Sequence, residues 1–100
     1  MQRWLMTTLV GLLLPSAALA AGNAGNGRTV AQTWCAACHD IGGETRATDA
    51  APAFAALAKS RTPEQLRNWL SVPHPPMPNA GLSRQAIEDV IAYLQQLKVQ

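Results

Sequence analysis

The segment 34–40, which reads W-C-A-A-C-H-D, constrains this chain more than any other feature. Cys35 and Cys38 are its two cysteines, and His39 follows the second one directly. Side chains at positions i and i+3 of a helical turn lie on the same side, so both sulfurs can reach one common group. The sulfurs can bond to each other, to a metal, to a substrate or to a cofactor, and the rest of the sequence must distinguish these possibilities.

The first fifth of the chain differs in composition from the remainder and resembles a secretory signal peptide. Arg3 supplies a positive charge, residues 5–14 are mainly apolar, and residues 18–20 (A-L-A) provide the small residues of a cleavage site. The apolar run has about half of the roughly 20 residues that a membrane-spanning helix needs. We therefore predict that residues 1–20 are removed on export, that the mature protein is periplasmic, and that it is not stably inserted in the membrane.

The mature chain is small and nearly neutral. Removing residues 1–20 from the 100 leaves 80 residues, and losing Arg3 from the eight basic residues leaves seven against six acidic ones. Such a balance, with no run of like charge, argues against binding to nucleic acid or electrostatic docking on a membrane. A core of this size is marginal without help, and small domains commonly carry a disulfide, a metal or another staple.

The pattern of apolar residues predicts an all-α protein with three to five short helices, because no stretch shows the alternation of a half-buried strand. Residues 21–26 are small, polar and glycine-rich, which is typical of a flexible leader before a domain over residues 27–100. Asn26 is the predicted N-cap of a first helix over residues 28–37. Its predicted apolar side comprises Val30, Ala31, Trp34 and Cys38.

Three further helices are predicted after a loop over residues 42–52. The first covers residues 53–59, and the second is capped by Thr62 and ends near residue 71. The last begins after Ser83 and carries the clearest apolar stripe, formed by Ile87, Val90, Ile91, Leu94 and Leu97.

Two interpretations of the cysteines lack sequence support. A redox-active CxxC normally begins a helix after a strand, and the sequence predicts no strand. A structural zinc site usually brings a second close pair of ligands, whereas only His74 or a carboxylate is available beside Cys35, Cys38 and His39. Covalent haem fits better, since each thiol can add to one vinyl group of a porphyrin and His39, at i+4 from Cys35, can meet the iron.

With these residues the chain resembles the small single-haem cytochromes c of bacteria, from about Gly27 to Leu97. The resemblance also covers Pro52 in A-P-A-F, a proline-flanked methionine and a final helix that ends in I-A-Y-L-Q-Q-L. It implies a cytochrome c fold around one covalently attached haem c, with Gly27 of the first helix near Tyr93 of the last. It also implies that the backbone carbonyl of Pro52 accepts a hydrogen bond from His39.

The second axial ligand of the iron has two candidates. Met77 is the one methionine of the mature chain and lies in the stiff segment V-P-H-P-P-M-P-N, while His74 lies three residues before it. The resemblance favours Met77, because the family has a proline-flanked methionine at this place. By the same resemblance the indole N–H of Trp69 would donate to a haem propionate, but a core position beside Leu66 is at least as well supported by its spacing.

The predicted function is electron transfer by a His39/Met77-ligated haem c, without enzymatic activity. The chain is expected to be a monomer or weak oligomer that meets redox partner proteins near the exposed haem edge. Three alternatives stay open: a haem-based ligand-binding or sensing protein, a thiol–disulfide protein without haem, and an electron-entry subunit of a larger redox enzyme.

Overall fold

The structure, a computed structural model, describes residues 10–12, 21–42, 50–72 and 74–100. Within these ranges the chain forms four helices, and the only strand-like pairing is an isolated bridge between His74 and Met77. The all-α prediction is confirmed. The helices are α1 (Ala24–Trp34), α2 (Phe54–Ser60), α3 (Pro63–Ser71) and α4 (Arg84–Lys98).

Helix α4 is the element on which the other three helices pack, and α1 makes the most extensive contact with it. Ser83 caps α4 as predicted, and its side chain accepts a hydrogen bond from the backbone N–H of Ala86 at 3.1 Å. The predicted stripe is buried except for Leu97, which is half-buried. The core consists of Ala31, Cys35, Ile41, Phe54, Ala58, Leu66, Ile87, Val90, Ile91, Tyr93 and Leu94.

Helices α1 and α4 cross in direct backbone contact at Gly27. A Cβ atom placed on Gly27 would lie 1.9 Å from the carbonyl oxygen of Asp89 and 2.9 Å from the nitrogen of Val90, which no real side chain tolerates. The close crossing that the family resemblance implies is therefore present. Its nearest neighbours on α4 are Asp89 and Val90, one turn before the expected Tyr93.

The start of α1 corrects two predictions. The helix begins at Ala24, and its N-cap is Asn23, whose side chain accepts from the N–H of Asn26 at 2.9 Å. The N–H of Asn23 donates to the buried carboxylate of Asp89 at 2.8 Å, and Gly22 lies against the carbonyl of Glu88. Residues 24–26, predicted to belong to a leader, thus lie in α1, and Asn23 rather than Asn26 is the cap, because Gly22 and Asn23 contact α4. A carboxylate at a helix N-terminus also complements the helix dipole.

The buried face of α1 also differs from the prediction. Its buried positions are Gly27 and Ala31, followed by Cys35 at the C-cap, each four residues apart and directed at the core around α4. Trp34 is 60% exposed and ends the helix, and Cys38 is exposed in the following turn. Sequence spacing alone did not show which side of a short helix meets its partner.

Helices α2 and α3 follow the predicted bounds closely. The N–H of Phe54, at the start of α2, donates to the carbonyl of Asp40 at 2.8 Å. Thr62 caps α3 in a reciprocal arrangement with Gln65, which stabilises its first turn. Most of the predicted signal peptide lies outside the described residues. No helix in the described ranges is long and apolar enough to cross a membrane.

Candidate functional site

The W-C-A-A-C-H motif forms a tight turn at the end of α1. The N–H of Cys35 donates to the carbonyl of Ala31 at 2.9 Å, which continues the helical bonding. The N–H groups of Cys38 and His39 then both donate to the carbonyl of Cys35, at 3.1 and 2.9 Å. Because three backbone bonds define this turn, the two sulfurs and the imidazole are carried by one short, rigid piece of backbone.

The imidazole of His39 is buried and held by one specific hydrogen bond. Its Nδ1 lies 2.5 Å from the carbonyl oxygen of Pro52, and the residue is 8% exposed. A carbonyl oxygen only accepts, so Nδ1 carries the proton and Nε2 keeps its lone pair. A metal-ligating histidine normally has this arrangement, in which the second ring nitrogen donates to a carbonyl and thereby sets the tautomer and the general orientation of the ring. The Pro52 carbonyl that the resemblance implied is confirmed as the partner.

The backbone carbonyls that follow His39 accept hydrogen bonds from two helices. Asp40 accepts from the N–H of Phe54 on α2, and Ile41 accepts from the hydroxyl of Tyr93 on α4 at 2.5 Å. The next residue, Gly42, has a φ of 94°, and a Cβ there would lie 3.2 Å from the Tyr93 hydroxyl oxygen. These contacts hold the backbone in place directly after His39, on the C-terminal side of the motif.

The two cysteines differ in environment, and their sulfurs are not bonded to each other. Cys35 is 7% exposed, and burial raises the pKa of its thiol. Cys38 is exposed. No group of three or more His, Cys, Asp or Glu side chains in the described part of the chain is placed to hold a metal ion. The geometry therefore does not support the disulfide or zinc interpretation. It fits a covalently attached haem, because one turn carries both thiols and an imidazole whose Nε2 is available.

Met77 lies in a separate turn after α3. Its N–H donates to the carbonyl of His74 at 3.1 Å, and both side chains line a small cavity of about 20 Å³ together with Trp69, Leu70 and Leu82. Met77 is half-buried. Among the described residues no hydrogen bond or ring contact joins this turn to His39. The structure therefore brings Cys35, Cys38 and His39 together and places Met77 on its own element.

His74 and Trp69 contact each other beside Met77. Their rings meet edge to face, with centroids 4.3 Å apart and an interplanar angle of 76°. The Nδ1 of His74 also lies 3.0 Å from the carbonyl oxygen of Val72. Trp69 is 50% exposed, so the core position considered from its spacing is wrong, whereas Leu66 on the same helix is buried.

Two residues near the site make contacts that the sequence did not predict. Tyr93 was expected at the helix crossing, but its hydroxyl bonds to the residue two places after His39. Asp89 is buried and accepts from the Asn23 N–H and from the side-chain amide of Gln85 at 2.9 Å. The Tyr93–Ile41 and Asn23–Asp89 contacts join positions 52 and 66 residues apart, so no local sequence pattern predicts them.

The fold and the turn together define a small haem-binding helical domain. The protein-family model described as Cytochrome c matches residues 24–98, so the chain belongs to the cytochrome c family, carries covalent haem c and is an electron-transfer protein.

A curated relative supports this classification. Cytochrome c-552 of Bradyrhizobium diazoefficiens is 41% identical over 86 residues, which cover 83% of this chain and 82% of the relative. No solved structure matches the chain significantly.

Proposed function

We propose that this chain is a periplasmic carrier of single electrons, in which Cys35 and Cys38 attach the haem and His39 and Met77 ligate its iron. The observation that carries the proposal is the hydrogen bond from His39 Nδ1 to the carbonyl of Pro52, which leaves Nε2 available for iron. The bound haem supplies an iron centre that changes its oxidation state by one electron.

The rigidity of the His39 environment suits electron transfer. The imidazole is held by Pro52, the backbone N–H of His39 by Cys35, and the following carbonyls by α2 and α4. A ligand that is held by several protein contacts changes position little when the charge of the metal changes. Little rearrangement then accompanies the gain or loss of an electron, which keeps transfer fast.

Met77 is the better candidate for the second ligand. Pro76 and Pro78 flank it, and its backbone is bonded to His74, so the thioether lies on a restrained segment. The ring of His74 packs against Trp69 instead. A thioether opposite an imidazole raises the reduction potential of haem iron, and a closed coordination shell leaves no position for a substrate. The chain is accordingly proposed to act without enzymatic activity of its own.

Redox partners are proposed to dock beside the motif. Trp34, at 60% exposure, and the exposed Cys38 flank the buried Cys35, so the attachment turn is accessible from one side. The near-neutral mature chain offers little long-range attraction, and docking then depends on local fit over a small, transient interface. The N-terminal sequence supports a periplasmic location.

The ligand assignment is tested by Met77→Ala, with His74→Ala as the matched control from the same turn. In Met77→Ala we expect retained covalent haem, a lower reduction potential, and rapid binding of carbon monoxide by the reduced protein. His74→Ala is expected to behave like the wild type. The opposite result, with His74→Ala opening the iron and Met77→Ala unchanged, would assign the second ligand to His74. Rapid carbon monoxide binding by the wild type itself would favour a ligand-binding protein over a carrier.

A further inference from the structure

Three aromatic rings form a buried series that begins at His39. The ring of Phe54 lies 5.3 Å from that of His39, with an interplanar angle of 61° that places one ring edge against the other. The ring of Tyr93 lies 6.4 Å from Phe54 at 53°. Phe54 and Tyr93 are 4% and 5% exposed. Phe54 and Tyr93 belong to the hydrophobic core, and the contact of Phe54 with His39 places this part of the core directly against the imidazole.

The position of Tyr93 on α4 explains how the three rings come into contact. The residues of α1 that face α4 are small, namely Gly27 and Ala31, so α1 offers no ring at the helix crossing. The ring partner of Tyr93 is instead Phe54 at the start of α2. The hydroxyl of Tyr93 reaches further, to the carbonyl of Ile41. One α4 side chain therefore contacts both the ring beside His39 and the backbone that follows it.

A single hydrogen bond does not fix the rotation of an imidazole. The last side-chain torsion of histidine is broad, and a carbonyl oxygen accepts hydrogen bonds over a wide range of directions. The bond from Nδ1 to Pro52 therefore leaves the ring of His39 some freedom to turn. The edge contact with Phe54 restricts that freedom, because Phe54 is itself packed against Tyr93 and its backbone N–H donates to the carbonyl of Asp40.

We propose that Phe54 and Tyr93 are positioning residues that set the rotation of the His39 imidazole about the direction from Nε2 to the iron. This inference rests on the proposed function, in which His39 ligates the iron. In the haem-loaded protein, the plane of an iron-bound imidazole would contribute to the splitting of the iron d orbitals and so to the magnetic anisotropy of the ferric state. Groups behind a metal ligand tune the metal in this way without contacting it.

The test uses the ferric, haem-loaded protein and compares Phe54→Leu and Tyr93→Phe with the control Gln96→Ala. Gln96 lies on an exposed face of α4. The readouts are the electron paramagnetic resonance g values and the spread of the haem-methyl proton shifts, which report ring rotation. We expect Phe54→Leu to change the spread of the shifts several times more than Gln96→Ala does. Tyr93→Phe, which keeps the ring and removes only the hydroxyl, is expected to give a smaller change in the same direction.

The outcomes separate the two proposals. If both variants are less stable but their ferric spectra match those of Gln96→Ala, Phe54 and Tyr93 have only a structural role and the inference is wrong. If Phe54→Leu does not fold, Tyr93→Phe decides alone, because it preserves the packed volume. A wild-type protein with covalent haem but no imidazole on the iron would instead contradict the proposed function.

Discussion

Replacing Gly27 by alanine tests the crossing of α1 and α4, which holds the first helix against the last one, upstream of the W-C-A-A-C-H turn. The new Cβ would lie 1.9 Å from the carbonyl oxygen of Asp89, whereas ordinary contact begins at 3.4 Å, so the helices must separate by about 1.5 Å. Overpacking typically costs about 1–3 kcal/mol, and the upper end applies because both neighbours are backbone. Alanine regains about 1 kcal/mol of helix propensity. The net loss of unfolding free energy is then about 2 kcal/mol.

The assay is denaturant unfolding of the haem-loaded protein, followed by circular dichroism. Gly25→Ala is the matched control, since its Cβ would meet only the side-chain oxygen of Asn23 at 3.3 Å, and this capping oxygen has to move by only a few tenths of an ångström. We expect this control to lie within about 1 kcal/mol of the wild type, because the gain in helix propensity offsets the small displacement of the cap. Equal stability of Gly27→Ala and Gly25→Ala would refute the close crossing.

Three further predictions concern separate parts of the chain. Arg67 makes two hydrogen bonds to Glu88, at 2.5 and 3.0 Å, and these hold the pKa of the Glu88 carboxyl below its usual range. That contribution to stability is present above about pH 4.3, the ordinary glutamate pKa, and is lost as the pH falls through the lowered value. Unfolding measured over a range of pH should therefore show that Glu88→Gln has a slightly smaller free energy of unfolding than the wild type at pH 7 and the same value in acid. A difference that does not change with pH would contradict this prediction. Thr62→Ala should lose about 1 kcal/mol of unfolding free energy by removing the N-cap of α3, and no measurable loss would show that the cap contributes nothing. Cys35→Ala combined with Cys38→Ala should give a colourless chain without a cooperative unfolding transition, because the haem completes a thin core; a folded, colourless variant would refute this.

Local signals in the sequence predicted the second half of the fold well. Thr62 and Ser83 cap α3 and α4, as predicted from their position just before a periodic run of apolar residues. Both caps depend only on residues that are close in sequence. The start of α1 could not be predicted in this way. Gly22 and Asn23 are ordered by contacts with Glu88 and Asp89, and a glycine-rich composition gives no sign of a distant partner.

The same distinction between local and distant contacts applies to the candidate site. The motif at Cys35, Cys38 and His39 is local and was recognisable, and the family resemblance supplied the Pro52 carbonyl. The bond from Tyr93 to Ile41 spans 52 positions and arises from how α4 packs, so no short pattern contains it. Exposure is a further property of packing, which is why Trp69 was considered for the core yet lies half exposed.

The most direct measurement is the intact mass and the absorption spectrum of the protein after export from a host that matures c-type cytochromes. We expect the mass of the mature chain plus one haem, and a six-coordinate spectrum whose oxidised form shows the weak charge-transfer band of sulfur ligation. A colourless product with two titratable thiols would contradict covalent attachment at Cys35 and Cys38, and a coloured product without the sulfur band would contradict ligation by Met77.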